Sequence, residues 1–207
     1  TTEAADAFAA AAIAAATDGF SASCLLDEGA FGAVYRGKLP HDAEPHGGRE
    51  VAIKVLKLDM VHQAAADNVP EHKYSGEATF RREAELLGRL RHPNIVALLG
   101  HCVGAGVERP CLVCEFMEGA SLKDRLDASP VAAALTWRER HTIASDVARG
   151  LVFLHTVCDP PIIHQDVKSD NILLAPAPQG DGIVAKLADF GTVRVAPKLT
   201  FSSHVST

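Results

Sequence analysis

Residues 164–171 read His-Gln-Asp-Val-Lys-Ser-Asp-Asn, and the triplet Asp189-Phe190-Gly191 follows them. Between the two lie the apolar run Ile172-Leu173-Leu174-Ala175, a turn made of residues 176–182, and a second apolar run through Val184, Lys186 and Leu187. This pattern predicts a β-hairpin. A hairpin brings its ends together, so Asn171 before the first strand and Asp189 after the second meet at one end. A neutral oxygen donor and a carboxylate suit Mg²⁺, a hard cation held by few protein ligands, with water and phosphate oxygens completing its shell. Asp166, in the loop entering the hairpin, is placed to accept a proton from an attacking hydroxyl. Lys168, two positions on, reaches a transferring phosphate. The chemistry implied is phosphoryl transfer from a Mg²⁺-nucleotide; the bland alternative is a polar turn before an ordinary hairpin.

The elements that must position such a site precede it. Residues 26–37, Leu-Asp-Glu-Gly-Ala-Phe-Gly-Ala-Val-Tyr-Arg-Gly, read as strand, glycine turn and strand, in which backbone N–H groups can approach phosphate oxygens. A tight hairpin turn is an equal reading. After a polar turn over 40–49 comes the strand Val51-Ala52-Ile53-Lys54-Val55-Leu56, whose single Lys either meets a partner or faces solvent. A polar connector over about 59–76 leads to Phe80, Ala84, Leu87 and Leu90 at helical spacing, with Glu83 and Glu85 as candidate partners for Lys54. Strands are expected over 96–99 and 112–116. Ser121 with Asp124 reads as a helix N-terminus, and Thr136-x-x-Glu139 as a capping box opening a helix with Trp137, Ile143, Val147, Leu151 and Leu154 as its apolar positions.

Composition narrows the class. A chain of 207 residues, 47% of them hydrophobic, can build a core as one large domain or two small lobes. A formal net charge of −6 with scattered basic residues argues against a nucleic-acid partner bound through its phosphates. Five cysteines fit a reducing compartment better than a disulfide framework. Cys111 and Cys114 form a C-x-x-C, but on a strand residues three apart point to opposite faces and cannot share one ligand sphere. Residues 3–16 are dominated by alanine and predict a short helix closing at Asp18-Gly19; the run is too short and weakly hydrophobic to span a bilayer and has no basic n-region. The absence of an initiator Met suggests a piece of something longer.

Taken together, the His164–Asn171 loop, Asp189-Phe190-Gly191, the glycine turn, Val51–Lys54 and Phe80-x-x-Glu83 resemble the eukaryotic protein kinases. From Thr17-Asp18-Gly19-Phe20 through residues 136–155 the phrasing is most similar to the plant receptor-like, Pelle and interleukin-receptor-associated kinases of the tyrosine-kinase-like group. The resemblance implies Asp166 as catalytic base, Lys168 on the γ-phosphate, Asn171 and Asp189 on Mg²⁺, and Lys54 paired with Glu83, which family spacing favours over Glu85. It implies nucleotide contacts from Leu26, Gly29, Ala30, Phe31, Gly32, Val34, Ala52, Lys54 and Leu173. It makes Cys114 the gatekeeper, with the backbones of Glu115 and Met117 on adenine and Asp124 near ribose beside its capping role. Two positions depart from the pattern. Asp27 replaces the first glycine and sets a carboxylate near the phosphates. Gln165 replaces the usual Arg, which puts a phosphate switch through that residue in doubt.

The expected fold is α+β: a bilobal, protein-kinase-like arrangement with an N-terminal helical extension (1–20), a small antiparallel-sheet lobe and hinge (21–117), and a mostly helical lobe left incomplete (118–207). The expected function is transfer of the ATP γ-phosphate to Ser/Thr hydroxyls of protein substrates in signal transduction, with ATP and Mg²⁺ as cofactors. A protein substrate and an upstream receptor or adaptor are the partners, with no nucleic acid, no membrane span within the chain, and a cytoplasmic location that includes the cytoplasmic part of a receptor. The alternatives are an ATP-binding pseudokinase or scaffold, an inactive fragment, and a small-molecule phosphotransferase. No Ala-Pro-Glu follows the triplet, so Val147, Leu151 or Leu154 is expected to stay wet at roughly 1.5–3 kcal/mol each. Against a net stability of about 5–15 kcal/mol, that predicts a marginal, aggregation-prone fragment.

Overall fold

The computed structural model describes residues 6–29, 32–43, 45–56, 76–103, 110–128, 135–178 and 182–196. The backbone divides into two compact units, residues 1–118 and 119–207.

The first unit is built on a sheet ordered β1-β5-β6-β4-β3-β2, made of β1 (Asp6–Ala7), β2 (Leu25–Gly29), β3 (Gly32–Lys38), β4 (Glu50–Leu56), β5 (Leu98–Cys102) and β6 (Cys111–Glu115). All of its pairings are antiparallel except β1 on β5. Period-two alternation sorts β4 cleanly. Val51, Ile53 and Val55 are buried in a cluster with Phe8, Ile13, Ala16, Leu39, Cys102, Cys111 and Val113, while Ala52 and Lys54 between them are half-buried on the other face. Helix α2 (Gly76–Arg89) buries Phe80, Ala84 and Leu87, as its spacing predicts, and Leu90 just beyond it is buried too.

Two expectations about this unit are corrected. Among the described residues the alanine-rich start is helical over α1 (Ala10–Ala16), and Asp6–Ala7 is a strand whose register sets Asp6 against Gly100 and Ala7 against His101. Alanine favours helix intrinsically, but the open edge of β5 offers backbone partners that propensity does not register: the Phe8 N–H donates to the His101 carbonyl at 2.8 Å, and Phe8 is buried. Phe8, Ile13 and Ala16 belong to the sheet's own core. The strand expected over 96–99 is also displaced, to Leu98–Cys102. Ile95 and Val96 are buried ahead of it in the loop that His92 organises, its Nδ1 accepting the Asn94 amide at 3.0 Å.

The second unit contains α3 (Leu122–Asp127), α4 (Trp137–Val152), β7 (Ile162–Ile163), β8 (Ile172–Pro176), β9 (Ile183–Leu187) and β10 (Arg194–Val195). Both expected capping boxes form. Ser121 Oγ accepts the Asp124 amide at 3.1 Å and Thr136 Oγ1 the Glu139 amide at 3.2 Å, and each acid accepts the cap residue's own N–H in return. The Ser121 hydroxyl, at 2.6 Å, and then its N–H lower the pKa of Asp124, and the Thr136 N–H and then its hydroxyl lower that of Glu139. Trp137, expected in the apolar stripe, is 82% exposed at the first helical position. The buried face of α4 runs instead through Ile143, Asp146 and Gly150. Leu154 is fully buried and Val147 and Leu151 are half-buried, so none of the three stands wet. Among the described residues no helix is long and apolar enough to cross a membrane.

Candidate active site

The expected hairpin forms, β8 antiparallel to β9 with Ile172 opposite Leu187 and Pro176 opposite Ile183. One further rung extends it toward the site, where the Ala188 N–H donates to the Asn171 carbonyl at 2.9 Å. Asn171 thus stands in the last rung and Asp189 directly follows its partner Ala188, the juxtaposition that their sequence positions imply.

The loop ahead of Asn171 is fixed from several sides. His164 is 1% exposed; its Nε2 donates to the Ala188 carbonyl at 3.1 Å, its Nδ1 accepts the Asp166 amide at 3.4 Å, and its ring lies 4.9 Å from that of buried Phe190. An imidazole that donates from one nitrogen and accepts at the other is neutral. Burial, which pushes its pKa down, supports that state. The chain after the triplet returns to the same loop: β10 pairs antiparallel with β7, and Thr192 Oγ1 donates to the His164 carbonyl at 3.3 Å. Gln165 and Asp189 both adopt left-handed backbone, at φ 68° and 60°. That conformation is costly for residues with a Cβ and is held here by the contacts on either side.

This frame brings three of the candidate residues together. Asn171 Nδ2 donates to both the main-chain oxygen and Oδ2 of Asp166, each at 2.9 Å, and Lys168 Nζ donates to the same Oδ2 at 2.8 Å. The Lys168 ammonium, followed by the Asn171 amide, holds the Asp166 carboxyl below its usual pKa, so it is ionised throughout the neutral range. Lys168 is correspondingly raised by its bond to Asp166. The negative charge of Asp189 acts on both groups. Asp189 Oδ1 also accepts the Gly191 amide at 3.3 Å. With its nitrogen committed to Asp166, Asn171 has its amide oxygen left for a cation. That oxygen and the Asp189 carboxylate form the all-oxygen donor set that Mg²⁺ prefers. Leu173 and Asp124 lie in the same unit, Leu173 bridged to Ser121 at the start of α3.

In the first unit, Lys54 lies opposite Val34 on one side and Leu112 on the other; His101 is opposite Leu112 in turn. The Phe80 ring of α2 meets the His101 ring edge-on at 6.4 Å, which sets α2 beside this row. Glu83 falls one turn after Phe80 in α2, and its side chain lies outside the described residues. Ala52 pairs with Cys114, and Gly29 with Gly32 at the mouth of the glycine turn, whose Ala30 and Phe31 lie outside the described residues. Leu26 is 49% exposed on β2, where the register shifts between Leu25 and Asp27. The end of β6 is pinned at Glu115, whose N–H donates to the Ala97 carbonyl at 3.0 Å while its Oε1 accepts the Ala97 N–H at 2.7 Å; Met117 is buried.

Sequence reasoning missed several residues that shape these parts. His164 stands inside the motif, but its buried, two-sided bonding has no periodic signature. Arg36 is bonded to both oxygens of Glu50, at 2.7 and 3.0 Å, and its guanidinium lies 4.8 Å from the centre of the Phe116 ring. Asp146 left a signal, a carboxylate three positions after Ile143 on the face that α4 buries. In the C-x-x-C, Cys111 is in the core and Cys114 is half-buried, and none of the five cysteines forms a disulfide. Among the described residues no group of three or more His, Cys, Asp or Glu side chains could hold a metal ion.

A small antiparallel sheet with one main helix, followed by a helical unit whose hairpin presents an Asp–Lys–Asn cluster beside Asp-Phe-Gly, defines an α+β fold of the kinase type. Residues 20–204 match the protein tyrosine and serine/threonine kinase family, and the chain belongs to it. Over 93% of its length it is 44% identical to the leucine-rich repeat receptor protein kinase MSL1 of Oryza sativa subsp. japonica, covering 12% of that protein. It is 40% identical over 99% of its length to the serine/threonine-protein kinase PBS1 of Arabidopsis thaliana, covering 39%. To the serine/threonine-protein kinase pelle of Drosophila melanogaster it is 39% identical over 88% of its length, covering 33%. The chain therefore spans well under half of each of these relatives.

Proposed function

We propose that this chain is the catalytic part of a protein kinase that transfers the γ-phosphate of Mg²⁺-ATP to Ser/Thr hydroxyls of protein substrates in signal transduction. The observation that carries the reading is the cluster in which Asn171 and Lys168 both bond Oδ2 of Asp166. Asp166 is the proton acceptor. Its carboxylate is held ionised and oriented, and its lowered basicity suits a reaction in which the hydroxyl proton departs late, as a loose phosphoryl transition state allows. Lys168 steadies the transferring phosphate. Asn171 and Asp189 hold Mg²⁺, which when bound neutralises charge on the phosphate oxygens. Lys54 and Glu83 anchor the α- and β-phosphates. The glycine turn with Leu26, Val34 and Ala52 encloses the nucleotide, as does Leu173. The backbones of Glu115 and Met117, beside Cys114, take the adenine, and Asp124 takes the ribose in addition to its cap.

Serine/threonine specificity is supported by Lys168 two positions after Asp166 and by relatives named serine/threonine-protein kinases. A relative named as a receptor protein kinase supports a receptor or adaptor upstream, and use of ATP supports a cytoplasmic location. A second reading, an ATP-binding scaffold, rests on Asp27, whose carboxylate stands where the family has glycine. Mg²⁺-ATP with Ser/Thr peptides, Tyr peptides and small-molecule acceptors separates the readings. Transfer to Ser/Thr peptides alone supports the proposal, transfer to small molecules alone overturns the protein substrate, and binding without transfer favours the scaffold.

A further inference from the structure

The β8–β9 hairpin is held along both edges. In β8, Leu174 gives its N–H to the Ala120 carbonyl at 2.9 Å and accepts the Gly119 N–H at 2.8 Å. With Leu174 bonding outward, the rung it forms with Ala185 is not a hydrogen-bonded pair, and the Ala185 N–H points away from β8. That amide sits on a residue with 0% exposure, where an unmet donor is costly. It is met by Asp146 Oδ2 of α4 at 2.9 Å, across 39 positions of sequence. Asp146 is itself 5% exposed; its other oxygen accepts from Arg149 Nη1 at 2.6 Å.

A buried carboxylate is an expensive way to pack a helix on a strand, since an apolar side chain would avoid desolvating a charge. What the carboxylate supplies is a fixed position for Ala185. From there β9 runs through Leu187 and the Ala188 rung straight to Asp189. We propose that Asp146 is a positioning residue that sets the register and tilt of β9 and thereby the place of Asp189 relative to Asn171. The inference rests on the reading of Asn171 and Asp189 as the metal-holding pair. Asp146 touches neither nucleotide nor metal; it acts through the strand, as outer partners of a metal site orient the ligands themselves.

The test uses the full-length protein, with Asp146→Ala to remove the acceptor and Asp146→Asn to keep a carbonyl oxygen in its place. Two quantities are read besides activity: amide hydrogen exchange at Ala185–Ala188, and Mn²⁺ affinity in the presence of ATP, followed by electron paramagnetic resonance. In Asp146→Ala, exchange along β9 accelerates about tenfold and Mn²⁺ binding weakens about tenfold, while Asp146→Asn stays near wild type on both. Asp146→Ser, whose hydroxyl falls short of Ala185, replaces the alanine variant if that one does not fold. A lower melting temperature with unchanged Mn²⁺ affinity makes Asp146 a structural residue only and overturns the inference. A wild-type protein that holds no Mn²⁺ with ATP overturns the functional reading first, and this inference with it.

Discussion

The side-chain amide of Asn171 reaches both the main-chain oxygen and Oδ2 of Asp166, each at 2.9 Å. One residue therefore orients the proposed base and leaves its amide oxygen for the proposed cation. Asn171→Ala removes both roles, so kcat falls and the Mg²⁺ concentration for half-maximal rate rises together. A fall in kcat at unchanged Mg²⁺ requirement would confine Asn171 to the loop. Steady-state rates across a Mg²⁺ titration distinguish the two.

His164 makes stability sensitive to pH. Burial lowers its folded-state pKa below the ordinary 6.5, so on acidification the unfolded chain binds the proton first. The stabilising contribution is complete above pH 6.5 and is lost as pH falls from there through the folded value. Thermal melts at pH 7.5 and 5.5 should show a drop that His164→Gln reduces. An equal drop in both proteins would assign the effect to other groups.

The cysteines should divide by burial. Cys102 and Cys111 face each other across β5 and β6 at 2% and 0% exposure, and burial pushes the Cys111 thiol up to about 12 and raises Cys102. Thiolates are the reactive form, so neither reacts with iodoacetamide at pH 8 until the protein is unfolded. Peptide mapping of alkylation with and without denaturant reads this directly.

Gly119 abuts the hairpin so closely that a Cβ there would stand 2.7 Å from the Leu174 carbonyl oxygen, a backbone atom that cannot step aside alone. Gly119→Ala should cost about 1–3 kcal/mol as an overpacked contact. Thr136→Ala, which only opens a capping box, should cost about 0.5–2 kcal/mol. Denaturant melts of both variants measure the difference.

Much of this arrangement was legible because it is local. The hairpin, the two capping boxes and the Phe80, Ala84, Leu87 stripe follow from alternation, turn residues and helical period, and the structure reproduces them. Period and propensity failed where a distant partner decided. The open edge of β5 drew Asp6–Ala7 out of the alanine helix, and β9 claimed Asp146 for the buried face of α4 while Trp137 was left in solvent. In the site, Asp166, Lys168 and Asn171 were found because one short loop carries them all. The clamp of His164 on Ala188 spans 24 residues of sequence and leaves no pattern in it.

The most direct test is phosphate transfer from Mg²⁺-ATP to a Ser/Thr protein substrate by the full-length protein and its Asp166→Asn variant, with ATP binding measured on both. The account predicts that both bind ATP and that the variant's kcat is lower by about 10²–10⁴-fold, the range of a lost general base. Equal transfer by the two proteins would remove Asp166 from the reaction. ATP binding without transfer in either would contradict the enzymatic reading and leave the scaffold.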